Sequence, residues 1–310
     1  MSIAAKFSRS WELAVVCLRV LTRNKTLLAF PITTFFFWVV MAILFFAPLT
    51  LVHTGYNLWE AKHWETVKDH VITTTHGPGG QTGYQFNFSS PENIAYWIII
   101  YVASMFLGAF ANVAFYHEIL SALRGGPVSI SSGFQFALSR WRAILAWSLF
   151  AGAVGFIIRT IEERVGFIGK IISAFIGTVW SVACLFVIPV LVENSSANPI
   201  LALRHSASIL KRTWGEAIIG YVGLSFGNAI VAISTGIILI SSIVFGVATN
   251  SIWLPLTISA VWIAFLFVYS YVMGVASHVY RGALYLYASE GATPSGFTAQ
   301  MFDAAWKRKK

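Results

Sequence analysis

The sequence predicts an all-α polytopic membrane protein. It has six transmembrane helices in three hairpins, each preceded by a cytoplasmic amphipathic interfacial helix, and a small α/β outer loop. Three observations lead there. Of 310 residues, 57% are hydrophobic and only 11% charged, at a mean hydropathy of +0.73, whereas soluble domains carry about 25% charged residues. Six apolar runs are long enough to cross a hydrocarbon core of about 30 Å. Basic segments with helical periodicity precede successive pairs of those runs.

Taken in order, residues 1–26 form the first interfacial helix. Ile3, Phe7, Trp11, Ala14, Leu18 and Leu21 share one face, with Arg9, Glu12, Arg19 and Arg23 largely opposite. Charges run through this segment and the next apolar run is long, so it is not read as a cleavable signal peptide. Residues 27–52 are the first span, with Pro31 and Pro48 tolerable near its ends. Residues 53–92 are a polar outer loop. Leu58 to Val71 favours a short helix, and the Thr-rich ITTTH and aromatic YQFNF around GPGGQTG favour a β-hairpin. The hairpin is expected to fold over the membrane domain, with docking of a partner strand as the alternative.

Residues 93–120 are the second span, where Ser104, Gly108 and Asn112 recur every fourth position and permit close helix packing. Residues 129–140 are the second interfacial helix. Here Ile130, Phe134, Ala137, Leu138 and the following Trp141 oppose Ser131, Gln135, Ser139 and Arg142. The third span is 141–158, a polar turn RTIEER follows, and the fourth span is 167–192, ended by Pro189 just before Glu193.

Residues 198–213 are the third interfacial helix and carry the clearest signals. Asn198 is placed to cap the N-terminus, and Pro199 stands at the first helical position, where its missing N–H costs nothing. Ile200, Leu203, Ala207, Leu210 and Trp214 form the apolar face; Arg204, His205, Ser208, Lys211 and Arg212 lie opposite. Such a helix suits the headgroup layer. The fifth span is 215–245, the sixth 253–288, and residues 289–310 are a basic tail. The whole of 1–310 reads as one transmembrane domain.

Lysine and arginine set the orientation. Lys6, Arg9, Arg19, Arg23, Lys25, Arg124, Arg140, Arg142, Arg204, Lys211, Arg212, Arg281 and the four cations 307–310 fall on one side. Only Lys62, Lys68, Arg159, Arg164 and Lys170 fall on the other. The positive-inside rule then places both termini and all three interfacial helices in the cytoplasm. It also explains the net charge of +9 without nucleic acid as a partner. The stretches LTRNKTLL, LSRWRAIL and LKRTWGEAII stand at equivalent junctions and point to one plan used three times.

The runs FALSRWRAILAWSLFAGAVGFIIRTIEERVGFIGK and VIPVLVENSSANPILALRHSASILKRTWGE, with the opening SWELAVVCLRVLTRNKTLLAFP, resemble an uncharacterised prokaryotic multi-pass membrane protein family, a domain of unknown function. More distantly, the plan is similar to the membrane domain of some glycerophosphodiester phosphodiesterases, without their catalytic domain. The resemblance implies a prokaryotic cytoplasmic (inner) membrane and supplies no substrate or catalytic residue.

Catalytic signatures are absent: there is no P-loop, GxSxG, HExxH or CxxC. Cys17 and Cys184 sit in apolar helical context and suggest neither a disulfide nor a metal knuckle. His117 and Glu118 at the end of the second span, with His278 in the sixth and His205 on the third interfacial helix, are the candidates for a metal or proton site. Adjacent residues on a helix point about 100° apart, which weighs against it. In the loop, His53, His63, His70 and His76 follow no recognised ligand spacing. Arg159, Glu162, Glu163 and Arg164 are expected to pair locally.

No catalytic residue, metal or cofactor is therefore expected. The expectation is a non-enzymatic membrane-organising protein or an accessory subunit of a membrane assembly. Arg19, Arg23, Lys25, Arg140, Arg142, Arg204, Lys211 and Arg212 would hold headgroups of the anionic inner leaflet. A membrane-protein partner or a second copy is a further expected contact. The alternative is a transporter or channel for a small or lipid-like molecule, its path lined by groups such as Ser104, Asn112 and Asn228.

Overall fold

Helices account for most of the chain. The computed structural model describes residues 3–50, 54–76, 82–86, 91–164, 166–194, 198–213, 217–291, 293–298 and 301. The elements are α1 (Ile3–Arg23), a 3-10 turn (Lys25–Ala29), α2 (Phe30–Thr50), α3 (Ala61–Val71), β1 (Ile72–His76), β2 (Thr82–Phe86), α4 (Pro91–Leu123), α5 (Ile130–Ser139), α6 (Trp141–Arg164), α7 (Gly166–Ala183), α8 (Val187–Glu193), α9 (Pro199–Thr213), α10 (Ala217–Ala248) and α11 (Trp253–Glu290). Strands β1 and β2 pair antiparallel, with Ile72 opposite Phe86 and His76 opposite Thr82. Six helical stretches are long and apolar enough to cross a membrane: Lys25–Ala47, Asn93–Leu123, Trp141–Glu163, Gly169–Glu193, Val231–Ala248 and Trp253–Glu290. The chain is a multi-pass membrane protein.

Local chemistry sets the helix ends. Asn198 Oδ1 accepts the N–H of Ile200 at 2.9 Å and that of Leu201 at 3.3 Å, which caps α9. At the other limit of α11, Gly291 takes φ +68°, and its N–H bonds Tyr287 O. That left-handed turn is cheap only for glycine.

Two expected boundaries differ. RTIEER is helical rather than a turn: it continues α6, where Arg159 Nε donates to Glu163 Oε1 at 2.8 Å across one turn. The fourth span is not continuous: it breaks at residues 184–186, ahead of Pro189 rather than after it. Proline at 189 removes a donor and clashes with the carbonyl four residues earlier, which is that of Leu185. The disruption therefore falls a turn before the proline.

Consecutive long helices pack as neighbours, α2 on α4, α6 on α7 and α10 on α11. Helix α4 is the hub, touching α2, α5, α6, α8 and α11. The amphipathic helices pack on the preceding hairpin. Helix α5 lies on α4, with Phe134 against Phe30 and Phe37; α9 lies on α8, α11, α7 and α6; and α1 packs on α11 and α10.

The buried core sits at one end. It joins Phe110 to Leu123 of α4, Phe186 to Val192 at α8, Val275 to Leu286 of α11 and the inner faces of α1, α5 and α9. Away from this end the helices expose large apolar side chains such as Phe35, Ile99, Phe175, Ile240 and Phe267. In water such surface would drive collapse, but lipid tails solvate it at no cost.

Candidate functional site

The closed end gathers the three amphipathic helices and most of the chain's described cations, and it is built on close contacts. On α5, a Cβ at Gly133 would meet Ala114 O at 2.8 Å and both Glu118 Cγ and Phe30 Cζ at 3.0 Å. The missing side chain lets α5 lie directly on α4. Glu118 is buried beneath it and accepts the Ser129 N–H on Oε2 at 2.7 Å, tying α4 to the residue that opens α5. On α9, Ser206 is fully buried. Its hydroxyl donates to Ala183 O at 2.6 Å and accepts the Phe186 N–H at 3.1 Å. The break between α7 and α8 is therefore closed by a side chain from a third helix.

A charged clip lies at the same end. Arg124, just past α4, bonds Glu193 Oε1 through Nη1 at 3.0 Å and Glu290 Oε1 through Nη2 at 2.5 Å. It joins the ends of α4, α8 and α11, one from each hairpin. The bond to Glu193, and then that to Glu290, hold the guanidinium pKa above its ordinary value. Nearby, burial pushes the Cys17 thiol up to about 12, so it stays protonated and inert at neutral pH.

The expected headgroup residues divide into three groups. Arg19, Arg23, Lys25, Arg142, Arg204 and Lys211 are exposed. Arg140 is half-buried, its guanidinium 5.2 Å from the centre of the Phe136 ring. The Arg212 side chain lies outside the described residues.

The apolar faces of α5 and α9 differ in part from expectation. The buried residues are Gly133 and Ala137 on α5, and Ala202, Ser206, Ile209 and Leu210 on α9, while Ile130, Phe134 and Leu203 pack partly buried on the core. The larger Leu138, Trp141, Ile200 and Leu201 stay outside, about half exposed. Small residues let helix backbones approach closely at these contacts, and lipid or headgroup layer can cover the large residues left outside. Trp214 lies outside the described residues.

The candidates for a metal site do not converge. His278 Nδ1 is 3.1 Å from the Tyr116 hydroxyl and its ring packs on Phe115 and Tyr116. His117 stacks on Phe136 at 3.9 Å between centroids, with Nε2 3.8 Å from Glu118 Oε1. His205 Nδ1 is 3.2 Å from Asn194 Nδ2. Among the described residues, no three His, Cys, Asp or Glu side chains are placed to share a metal ion.

In the loop, His63 is buried and bonds the Thr54 hydroxyl at 2.6 Å through Nδ1. The side chains of His53, His70 and His76 lie outside the described residues. The groups expected to line a path turn back on their own helix. Ser104 Oγ donates to Tyr101 O, and Asn112 Nδ2 to Gly108 O, both at 2.8 Å; Asn228 lies outside the described side chains.

Sequence reasoning missed Ser206, Gly133 and the Arg124 clip. Each leaves a signal. Ser206 interrupts the stripe Ala202–Ser206–Ile209, Gly133 stands one turn before Ala137, and Arg124, Glu193 and Glu290 each stand at the end of the second helix of a pair.

The sequence profile of the Family of unknown function (DUF6159) matches residues 93–297. No curated protein and no solved structure matches the chain.

Proposed function

We propose that this chain, which belongs to the Family of unknown function (DUF6159), is a non-enzymatic membrane-organising protein or an accessory subunit of a membrane assembly that acts by holding anionic lipid headgroups. In this reading it sits in a prokaryotic cytoplasmic membrane, with α1, α5, α9 and both termini on the cytoplasmic side, as the distribution of Lys and Arg favours.

One observation carries the reading. Helices α5 and α9 and the start of α6 leave large apolar residues outside, interleaved with Arg142, Arg204 and Lys211. An outward face of Leu138, Trp141, Ile200 and Leu201 beside cations suits the boundary between acyl chains and headgroups, where Trp is enriched and each basic residue gains about 1 kcal/mol from an anionic surface.

Lipid analysis of the full-length protein tests it. Gently extracted protein should retain anionic phospholipid above its share of the membrane. A variant with Arg19, Arg142, Arg204 and Lys211 changed to Gln should retain the bulk mixture. Identical, bulk-like lipid in both proteins would rule the reading out.

A further inference from the structure

Arg140 stands apart from the other cations at the closed end. It is the C-cap of α5, at the corner where the chain turns into α6, and its guanidinium is held over Phe136. Its Nη1 is buried and, among the described residues, meets no hydrogen-bond acceptor; no described carboxylate lies within ion-pair distance. Leaving a buried charged donor unpaired is costly. Arg124, just past α4, shows the contrast, because it has two carboxylates.

His117 shares the same platform. Its ring lies nearly parallel to Phe136, 10° off, and its Nε2 faces the buried Glu118 Oε1, which itself has no hydrogen-bond partner among the described residues. An imidazole has an N–H able to donate a hydrogen bond to a phosphate oxygen. The Arg140 guanidinium and the His117 imidazole thus contact the same aromatic ring. Leu138 and Trp141, both large and exposed, stand on either side of Arg140 in the chain.

We propose that Arg140, held over the Phe136 ring on which His117 also stacks, binds the phosphate of one phospholipid headgroup while Leu138 and Trp141 contact the lipid's apolar part. The inference rests on the headgroup-holding reading and sharpens it, from a diffuse basic face to one built phosphate site. A guanidinium fork is suited to bidentate contact with phosphate oxygens, and a ring beneath it fixes its plane. The same oxyanion chemistry is offered by free phosphate; the flanking apolar pair favours the lipid.

Native mass spectrometry of the full-length protein in mild detergent tests the site. The probes are phosphatidylglycerol, phosphatidylcholine and inorganic phosphate; the variants are R140Q, R140K, H117F, R204Q and, at the far end, R159Q. One lipid should bind tightly per chain. R140Q should lose that adduct by about tenfold or more, as expected for a lost charged hydrogen bond.

R140K should fall between wild type and R140Q, because it keeps charge without the fork. H117F keeps the stack and should lose less than R140Q. R159Q should match wild type. Melting temperatures identify any unfolded variant, and R140K carries the test if R140Q does not fold.

Equal losses in R140Q and R204Q, or no loss in R140Q, overturn the site while leaving the diffuse reading intact. The diffuse reading fails instead if wild type shows no preference for phosphatidylglycerol over phosphatidylcholine. Displacement of lipid by millimolar inorganic phosphate would overturn the lipid assignment in favour of free phosphate; persistence of the lipid supports it.

Discussion

Gly133 and Ser206 do what no larger or apolar residue could do in their places. A Cβ at Gly133 would press on a backbone oxygen 2.8 Å away, which cannot rotate aside. Gly133→Ala should therefore cost about 1–3 kcal/mol, typical of overpacking a filled contact. It should lift α5 from α4, lowering the melting temperature in detergent; an unchanged melting temperature would contradict the contact. Ser206→Ala leaves the Ala183 carbonyl and the Phe186 N–H without their partner inside the core. The expected loss is about 1–3 kcal/mol, read from the same melting curve. An equal effect from Ser208→Ala, an exposed serine whose hydroxyl bonds His205 O, would show the loss to be nonspecific. Neither residue stands out in the sequence, because periodicity ranks side chains by hydrophobicity while helix contact ranks them by size and by the backbone groups they can serve. The same difference explains why Leu138 and Trp141, expected on the apolar face of the second interfacial helix, and Ile200, expected on that of the third, are found outside, and why Ala202, not expected on such a face, is inside.

At the scale of elements, the six apolar runs were legible because a spanning helix needs only length and low charge, and both are local properties. The Asn198 cap was legible for the same reason. The break in the fourth span was misplaced because proline acts on the carbonyl a turn earlier, and its repair comes from Ser206, twenty residues away from Phe186. The clip was invisible for a related reason. Arg124, Glu193 and Glu290 are far apart in sequence, and each alone reads as an ordinary helix-end charge. Arg124→Gln should loosen the ends of α4, α8 and α11 together. All three side chains are a third or more exposed, or nearly so, and solvent screening limits the loss to about 1 kcal/mol or less. The sign with pH follows from the raised guanidinium pKa. A cation whose folded pKa is raised stabilises fully below its unfolded value and loses that contribution only as pH climbs through the folded one. The difference between wild type and R124Q should thus be flat across about pH 6 to 9 as far as the guanidinium is concerned. Added salt should shrink it. A difference insensitive to salt would mean that the clip is not electrostatic.

For the whole molecule, stability is concentrated at one end, and the arrangement of its cover is circular. Helix α1 comes first in the chain but packs on α10 and α11, the last hairpin, as α5 packs on the first and α9 on the second, with α9 also reaching α11. It contributes Leu13, Val16, Cys17, Val20 and Leu21 to the core, each nearly inaccessible. At about 1–2 kcal/mol for each buried side chain after allowance for a compact unfolded state, α1 is worth on the order of 5–10 kcal/mol. That is comparable with the whole stability of an ordinary domain, about 5–15 kcal/mol. The outer loop is the opposite case, since none of its described residues belongs to this core. Two deletions of similar length then separate the contributions. Removing residues 3–23 should uncover Val275, Val279 and their neighbours on α11, and the protein should aggregate or melt far below wild type. Replacing residues 61–86 with a short flexible linker should leave the melting temperature within a few degrees, because the bundle closes without the loop. If the α1 deletion melted like wild type, the ring of amphipathic helices would be decoration on a bundle held elsewhere. If the loop deletion were the damaging one, the outer end would carry packing that the exposed flanks of α2, α7 and α11 do not suggest.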